Sequence, residues 1–289
     1  MSNNVIADFV AQFTIDTQVN PEPTKGRIVL SKKGLVLAGN ESRESIPLNA
    51  IFDISVGYTP PDMEDFFQDT MTIAYAKGKE RHVAVIETGG DEVKRFKTLL
   101  FKAQLTGTKA SVKHPARVGG RVTEAQYQPA KLRIGRGKVE FRSKANPFTV
   151  DLSTVTHFEK QRRTVNGTSR PVLTVRHVSD GQTVLSEFAI GSERKLNLFG
   201  RYLRLEYSEI VAETEKIDVT EEEMETLVAI YSGGSSTSLA NILGADSSYV
   251  TMILNSLREK KLVVESDDTL SLTTEGRMMV SDRLESVNT

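Results

Sequence analysis

The sequence predicts an α+β protein with two similar β-rich modules, each ending in a helix, and then a smaller module of helices and one hairpin. Three observations predict this class: a repeat of the apolar pattern, a change from strand to helix spacing late in each copy, and uneven charge. The net charge is −1 over 289 residues, but Lys+Arg against Asp+Glu count 14 to 14 in residues 1–116, 18 to 11 in 117–216 and 5 to 13 in 217–289. These charges of 0, +7 and −8 change close to the predicted boundaries of the modules, 1–106, 107–213 and 214–289.

The repeat relates two stretches of chain at an offset of 104 residues. Residues 27–54, "RIVLSKKGLVLAGNESRESIPLNAIFDI", lie over residues 131–158 without a gap. Apolar and polar residues alternate in both, which predicts strands with one face on a core, and the breaks "SKKG" and "GRGK" predict hairpin turns. The matched apolar pairs are Ile28 and Leu132, Leu30 and Ile134, Leu35 and Val139, Leu37 and Phe141, Ile46 and Val150, Leu48 and Leu152, Ile51 and Val155, and Ile54 and Phe158.

Each copy continues with two more strand-like runs and then changes to helical spacing. The runs are "TMTIAYA" and "ERHVAVIE" in the first copy, and "PVLTVRHV" and "TVLSEFAI" in the second. The helices are "GGDEVKRFKTLLFKAQL" and "GSERKLNLFGRYLRLEY", at an offset of 103 residues, and "NVIADFVAQFTID" and "ASVKHPARVGGRV" offer one further strand before each meander. Antiparallel strands closed by one C-terminal helix describe a pleckstrin-homology-like barrel, with another small roll as the alternative.

The third segment has the element order of a winged helix-turn-helix domain. Thr220 and Glu223 form a capping box before the first helix, "TSLANILG" gives a short second helix, and Asp246 or Ser247 caps the third. "KLVVESDDTLSLT" predicts the wing hairpin, and Thr273 or Thr274 begins a last helix. The order helix, helix, helix, strand, strand, helix is that of the winged helix.

DNA binding by this segment is not expected, because affinity for a duplex comes mainly from Lys and Arg side chains at phosphates and the segment carries a charge of −8. The cations Arg258, Lys260 and Lys261 lie at the C-terminal end of the third helix, away from the end that normally enters the groove. The wing tip carries Asp267 and Asp268. The segment is therefore interpreted as a protein-binding or dimerising module.

Catalytic, metal and cofactor sites are not predicted. The chain has no Cys, and its four His are scattered without metal-ligand spacing. No catalytic motif is present, and "GRGK" is better explained as a hairpin than as a phosphate loop. The first hairpins carry Lys32 and Lys33, or Arg136 and Lys138, but direct membrane binding has no further support. With neither a membrane span nor a signal peptide, the expected location is cytoplasmic.

Two loops are candidate partner contacts. "GYTPPDMEDFFQDT" carries adjacent Phe66 and Phe67, which predict either an interface anchor or a lid on the barrel. "EKQRRTVNGTSR" surrounds an Asn-Gly turn and contributes much of the positive charge of the middle module, so it predicts either a solvated hairpin or a surface for an acidic partner. Its cations are Lys160, Arg162, Arg163 and Arg170.

The last helix carries an apolar stripe of Met278, Met279 and Leu284. Winged helices often dimerise through this helix, so the stripe predicts a homodimer interface. The alternative is that it packs on its own domain.

Over nearly its full length, including "GRIVLSKKGLVLAG" and "PAKLRIGRGKVEFRS", the chain resembles the CheF family of archaeal taxis adaptors. The resemblance implies a non-enzymatic protein that links the phosphorylated response regulator CheY to the switch complex at the cytoplasmic face of the archaellum motor. It implies no residue-level site, and the basic hairpin of the middle module is the predicted landing place for CheY. The alternative function is a winged-helix transcription regulator whose pleckstrin-homology-like modules sense a ligand.

Overall fold

The computed structural model describes residues 5–15, 23–40, 42–57, 70–87, 90–135, 137–179, 182–214, 216–233, 236–266 and 269–287. The chain divides into two compact units, Met1–Leu205 and Glu206–Thr289. It is a mixed α+β protein with two large antiparallel sheets, both in the first unit. The predicted boundary at residue 106 falls inside that unit, and the three-module division stays a prediction.

The first sheet has seven strands in the order β4-β3-β2-β1-β7-β6-β5. The predicted first strand is present as β1, and "SKKG" is the tight connection between β2 and β3. The sheet leaves two edges, β4 and β5, which a short 3-10 turn at Leu48–Ala50 connects. The strands are β1 (Val5–Ile15), β2 (Thr24–Ser31), β3 (Gly34–Ala38), β4 (Arg43–Pro47), β5 (Ile51–Val56), β6 (Thr70–Lys77) and β7 (Glu80–Glu87).

The second sheet repeats this order as β12-β11-β10-β8-β15-β14-β13, with a short strand β9 paired to β8. A 3-10 turn at Leu152–Thr154 again joins the two edge strands β12 and β13. The strands are β8 (Lys109–Val118), β9 (Arg121–Val122), β10 (Gln128–Ile134), β11 (Lys138–Arg142), β12 (Phe148–Asp151), β13 (Val155–Val165), β14 (Thr168–Ser179) and β15 (Gln182–Ile190).

The two sheets share their register, which confirms the repeat. Leu30 pairs with Leu35 in the first hairpin, and Ile134 pairs with Val139 at the matching place in the second. Of the matched apolar pairs, only Leu48 and Phe158 are half-buried, and all the other members are buried. The alternating pattern therefore determined which face of each strand lies on the core.

A helix follows the last strand of each copy, as predicted: α1 (Gly90–Leu105) and α2 (Glu193–Thr214). Most buried apolar residues of both sheets and both helices form one continuous cluster, with smaller groups at Val85 and at Val165, Val172 and Ala189. Phe101 of α1 and Tyr202 of α2 meet within it, with their ring centroids 5.2 Å apart. The two copies are therefore packed on each other and share a core.

The second unit follows the predicted element order: α3 (Glu221–Tyr231), α4 (Ser236–Leu243), α5 (Ser247–Glu259), β16 (Val263–Ser266), β17 (Thr269–Leu272) and α6 (Thr274–Val287). Both bonds of the predicted capping box at Thr220 and Glu223 are present, and Asp246 caps α5. Gly276 lets α6 approach the chain after α5, because a Cβ there would lie 2.2 Å from the carbonyl oxygen of Leu262.

Candidate functional site

One arginine on α2 holds the two sheets of the first unit together. The Nη1 atom of Arg194 donates to the carbonyl oxygen of Ile51 at 2.6 Å, to that of Leu48 at 3.4 Å and to Oε1 of Gln104 at 3.2 Å. Gln104 on α1 in turn donates to the carbonyl of Leu48 at 2.8 Å. Burial lowers the pKa of Arg194, and burial together with the charge of Arg194 lowers the pKa of Lys195. This arrangement is named the Arg194 clamp below.

Next to the clamp lies an open cavity of about 470 Å³. Its walls are the edge strand β5 of the first sheet, strands β13 and β14 of the second, and helix α2. The lining residues are Phe52, Asp53, Phe158, Glu159, Lys160, Leu173, Leu196, Asn197, Gly200, Arg201 and Arg204. Aromatic and charged side chains therefore meet in one place that belongs to both sheets.

A bidentate ion pair crosses this cavity. Arg201 donates from Nε to Oδ1 of Asp53 at 3.1 Å and from Nη2 to Oδ2 at 3.0 Å. The pair is only partly buried, with the side chain of Arg201 34% exposed and that of Asp53 44% exposed. Lys160 donates to Oδ1 of Asn197 at 3.0 Å and reaches Glu193 at 3.5 Å. Arg201 and Lys160 are therefore held in place by weak, solvent-accessible contacts.

The predicted partner loop is a long hairpin of β13 and β14. Its Asn166-Gly167 turn has both φ angles positive, 49° and 80°, as a two-residue hairpin turn requires. Arg163 lies opposite Arg170 in the register, so these two share a face, whereas Lys160 and Arg162 alternate onto the other. The structure therefore divides the four predicted cations between two faces, and only Lys160 lines the cavity.

The face that carries Arg163 also carries Tyr127 and Glu187, and the hydroxyl of Tyr127 donates a hydrogen bond to Glu187. Burial and this bond raise the pKa of Tyr127, against a smaller opposing effect of Arg163. The Nε–H groups of Arg163 and Arg170 are buried and donate no hydrogen bond to the described residues. Partner binding by the hairpin stays a prediction.

The structure describes only some of the other predicted site residues. Phe66 and Phe67 lie outside the described residues. Met279 is half-buried and packs on the core of its own unit, Met278 is half-buried, and Leu284 belongs to α6 although its side chain lies outside the described part of the chain. A homodimer interface on α6 stays a prediction.

Two of the histidines flank a buried serine. Oγ of Ser186 lies 2.7 Å from Nδ1 of His114 and 2.9 Å from Nε2 of His177, and the ring of His114 stacks on Phe148 with the centroids 3.8 Å apart. Burial, with a smaller effect of His177, lowers the pKa of His114 to about 4, and burial also lowers that of His177. Within the described residues no group of three or more His, Cys, Asp or Glu side chains is placed to hold a metal ion.

The second unit exposes large apolar side chains. Tyr249 and Met252 lie one turn apart on α5 and are 40% and 58% exposed. Tyr231, Ile242 and Val264 are also exposed. The cation Lys260 turns inward instead, where it donates to both carboxylate oxygens of the buried Glu223 at 2.9 and 2.7 Å. Burial alone would raise the pKa of Glu223, but hydrogen bonds from Lys260, Ser256 and the backbone of Thr220 lower it overall.

Sequence reasoning missed Asp53, Arg194 and Arg201. A signal for two of them was available in the repeat: at the offset of 103, Arg194 and Arg201 of the second helix match Asp91 and Thr98 of the first. A cation that is present in only one copy of a repeat is not needed for the fold that both copies have in common. It is therefore a candidate for a contact between the copies.

Two stretches of the chain match described protein families. The family described as "Archaeal Chemotaxis signal transduction system protein F" matches residues 5–209. The chain belongs to this CheF family. Residues 218–285 match a second family, described as a domain of unknown function (DUF8579).

Two curated relatives come from Halobacterium salinarum. Taxis protein CheF2 is 48% identical over 288 residues, which covers 100% of both chains. Taxis protein CheF1 is 28% identical over 268 residues, which covers 90% of this chain and 89% of the relative. The predicted resemblance to CheF is confirmed, and with it a place in archaeal chemotaxis.

Among solved structures, the chain matches "Structure of the Spt16D Pob3N heterodimer" at 12% identity and a TM-score of 0.25, covering 66% of this chain and 99% of that one. None of the helices described here is both long enough and apolar enough to span a bilayer.

Proposed function

We propose that this CheF protein is a non-enzymatic adaptor that binds the phosphorylated response regulator CheY and the archaellum switch complex, and so controls rotational switching. Family membership and full-length relatives named as taxis proteins support a role in chemotaxis. We assign the two sheet-and-helix copies as pleckstrin-homology-like modules and the second unit as a winged helix, from their strand order and element order.

The observation that carries the proposal is the surface of α5. In a DNA-reading winged helix this helix would present cations to phosphates. Here it presents Tyr249 and Met252, while Lys260 is bound to Glu223. Exposed aromatic and methionine side chains are enriched at protein interfaces. A protein partner therefore fits this helix better than a duplex does.

Signal transfer requires that the adaptor bind one state of the response regulator more tightly than the other. A tenfold preference for the phosphorylated state corresponds to about 1.4 kcal/mol. The test is calorimetric titration of the purified protein with its cognate CheY, with and without beryllofluoride as a mimic of the phosphoryl group. We expect binding that is at least about tenfold tighter with the mimic, and equal affinities in both states would contradict the proposal.

Two variants locate the contact. Joint substitution Tyr249→Ala and Met252→Ala removes the two large exposed apolar side chains of α5 without touching its buried face, and should weaken CheY binding by about tenfold or more. The matched variant Arg162→Ala with Arg163→Ala removes two cations of the basic hairpin, which the charge of the middle module favours as a landing place. If only the second variant weakens binding, the CheY contact belongs to the hairpin instead.

We further propose that the protein acts as a homodimer at the cytoplasmic face of the motor, since two linked copies would gain avidity on a symmetric ring. Multi-angle light scattering measures the mass directly, and a monomer at micromolar concentration would overturn the dimer. A fluorescent fusion that fails to concentrate at the archaellated pole would overturn the location.

A further inference from the structure

The cavity between β5 and β13 has features that the proposed winged-helix contact does not use. Both are edge strands of the sheets that the described residues form, so within that part of the chain each is paired on one side and leaves alternate backbone N–H and C=O groups outside its own sheet. β13 is long, with 11 residues, and β5 has 6. An extended chain entering the cavity would therefore find backbone donors and acceptors along its walls.

The charges of the cavity indicate the chemistry of that chain. Lys160, Arg201 and Arg204 line it against the acids Asp53 and Glu159, so its lining carries a net positive charge. Arg201 binds a carboxylate in the resting protein, through the bidentate pair with Asp53. A guanidinium fork of this kind selects a carboxylate by geometry as well as by charge.

The cavity also has apolar walls. Phe52 and Phe158 both line it, from the two edge strands, and the guanidinium of Arg81 lies 5.6 Å from the centroid of the Phe52 ring. Gly200 on α2 also lines the cavity and leaves space there, since a Cβ at this position would meet only Leu173, at 4.0 Å. An apolar side chain next to an acidic one would match this lining.

We propose that this cavity is a docking site for an extended, acidic segment of a partner protein. A carboxylate of the segment takes the place of Asp53 on Arg201, a neighbouring apolar side chain lies against Phe52 and Phe158, and the segment follows the free edge of β13. Asp53 is then an intramolecular competitor that occupies Arg201 when no partner is bound. The inference deepens the proposed adaptor function, on which it rests, by giving the first unit a partner surface separate from α5.

The Arg194 clamp makes this exchange feasible without separating the two sheets. Its three acceptors, Ile51, Leu48 and Gln104, are all outside the lining of the cavity. Opening the Asp53–Arg201 pair therefore costs a solvent-accessible ion pair and leaves the buried contacts in place.

The experiment is selection of a displayed library of random peptides on the full-length protein, followed by fluorescence-polarisation titration of the selected peptides. We expect acidic peptides with at least one large apolar residue. Arg201→Glu should weaken them by about tenfold or more, and Asp53→Asn should tighten them several-fold because it removes the competitor for Arg201. Gly200→Leu should weaken them without any change of charge, by occupying the cavity.

The inference predicts opposite effects on peptide affinity: Arg201→Glu should lower it and Asp53→Asn should raise it. If the ion pair only supported the fold, both variants would weaken binding, and that result would overturn the inference. Selected peptides that lack acidic residues, no enrichment at all, or affinities unchanged by Arg201→Glu would also overturn it. Arg176→Glu, an exposed cation of β14 outside the cavity lining, is the matched control for charge.

The same variants are titrated with CheY and beryllofluoride to keep the two proposals apart. If the unsubstituted protein selects no acidic peptides but still binds activated CheY more tightly, the cavity inference fails and the adaptor function stands. Peptide binding to the cavity without any preference for the activated CheY defeats the adaptor function instead. Circular dichroism of each variant excludes unfolding as the cause.

Discussion

Replacing Arg194 by Met should destabilise the first unit, because it removes a donor of the second copy that binds three acceptors of the first copy and keeps the side chain close to its original length. Two short contacts, at 2.6 and 3.2 Å, and one long contact at 3.4 Å are lost. A hydrogen bond to a charged group contributes about 1.5–3 kcal/mol, and the released cost of burying the guanidinium offsets part of the sum. We expect a net loss of about 3 kcal/mol, or about 6–12 °C in Tm for a unit of this size.

The assay is urea denaturation of the full-length variant, followed by hydrogen exchange of β5, where the carbonyl of Ile51 loses its donor. A double-mutant cycle with Gln104→Leu should show a coupling of about 1 kcal/mol or more, because the two side chains share the carbonyl oxygen of Leu48 as acceptor and bond to each other. Arg176→Met, an exposed Arg-to-Met change on β14, should alter stability by less than about 0.5 kcal/mol. If Arg194→Met were no more destabilising than this control, the clamp would not hold the two copies together.

The remaining predictions concern the second unit and the histidines. Gly276→Ala should destabilise the second unit by about 2 kcal/mol in calorimetry, because the new methyl group meets backbone that cannot move aside. Lys260→Met should cost about 2–3 kcal/mol at neutral pH, because it leaves the buried Glu223 carboxylate without its cation. The lowered pKa of Glu223 contributes stability above its ordinary value, which is lost as the pH falls through the lower folded value. As the pH falls from 6.5 to about 4, the free energy of unfolding should also decrease, because the unfolded chain protonates His114 at its ordinary pKa and the folded chain does so only near 4.

The predictions for Gly276, Lys260 and His114, taken in that order, each have a control variant in the same chain. Gly200→Ala has room for its methyl group and should be neutral or stabilising by about 0.5–1 kcal/mol, so equal losses at the two glycines would contradict the first prediction. Lys261→Met changes an exposed lysine next to Lys260, and the second prediction fails if both lysine variants lose the same stability. His114→Gln should flatten the acid slope and exposed His157→Gln should not, so an unchanged slope in both would count against the histidine account.

Much of the fold was predictable because its signals are local. The alternation from Ile28 to Ile54 and from Leu132 to Phe158 predicts strand faces directly, since side chains of a strand alternate between core and solvent. The capping box at Thr220 and the Asn166-Gly167 turn are equally local, because each depends on residues within one turn of chain. Because a few neighbouring residues determine each of these features, the sequence leaves few alternative local structures.

The candidate sites were less predictable, since they depend on which faces meet. A basic run looks like one patch in sequence, yet the strand alternation places Lys160 and Arg163 on opposite faces of the hairpin. Likewise, Lys260 reads as a free surface cation, but the end of α5 brings it to Glu223, which is distant in sequence. Predicting these contacts requires the register of the strands and the packing of the helices.

The sequence by itself determined the family, the repeat, the strand and helix pattern and the charge of each module, because all of these are written in residue types and their spacing. Only the tertiary structure decided that the two copies share one core and that Arg194 joins them. It also decided that Asp53, Lys160 and Arg201 meet at a cavity between two sheet edges. The physical reason is that these contacts join residues up to 148 positions apart, and no local periodicity specifies how two folded sheets lie against each other.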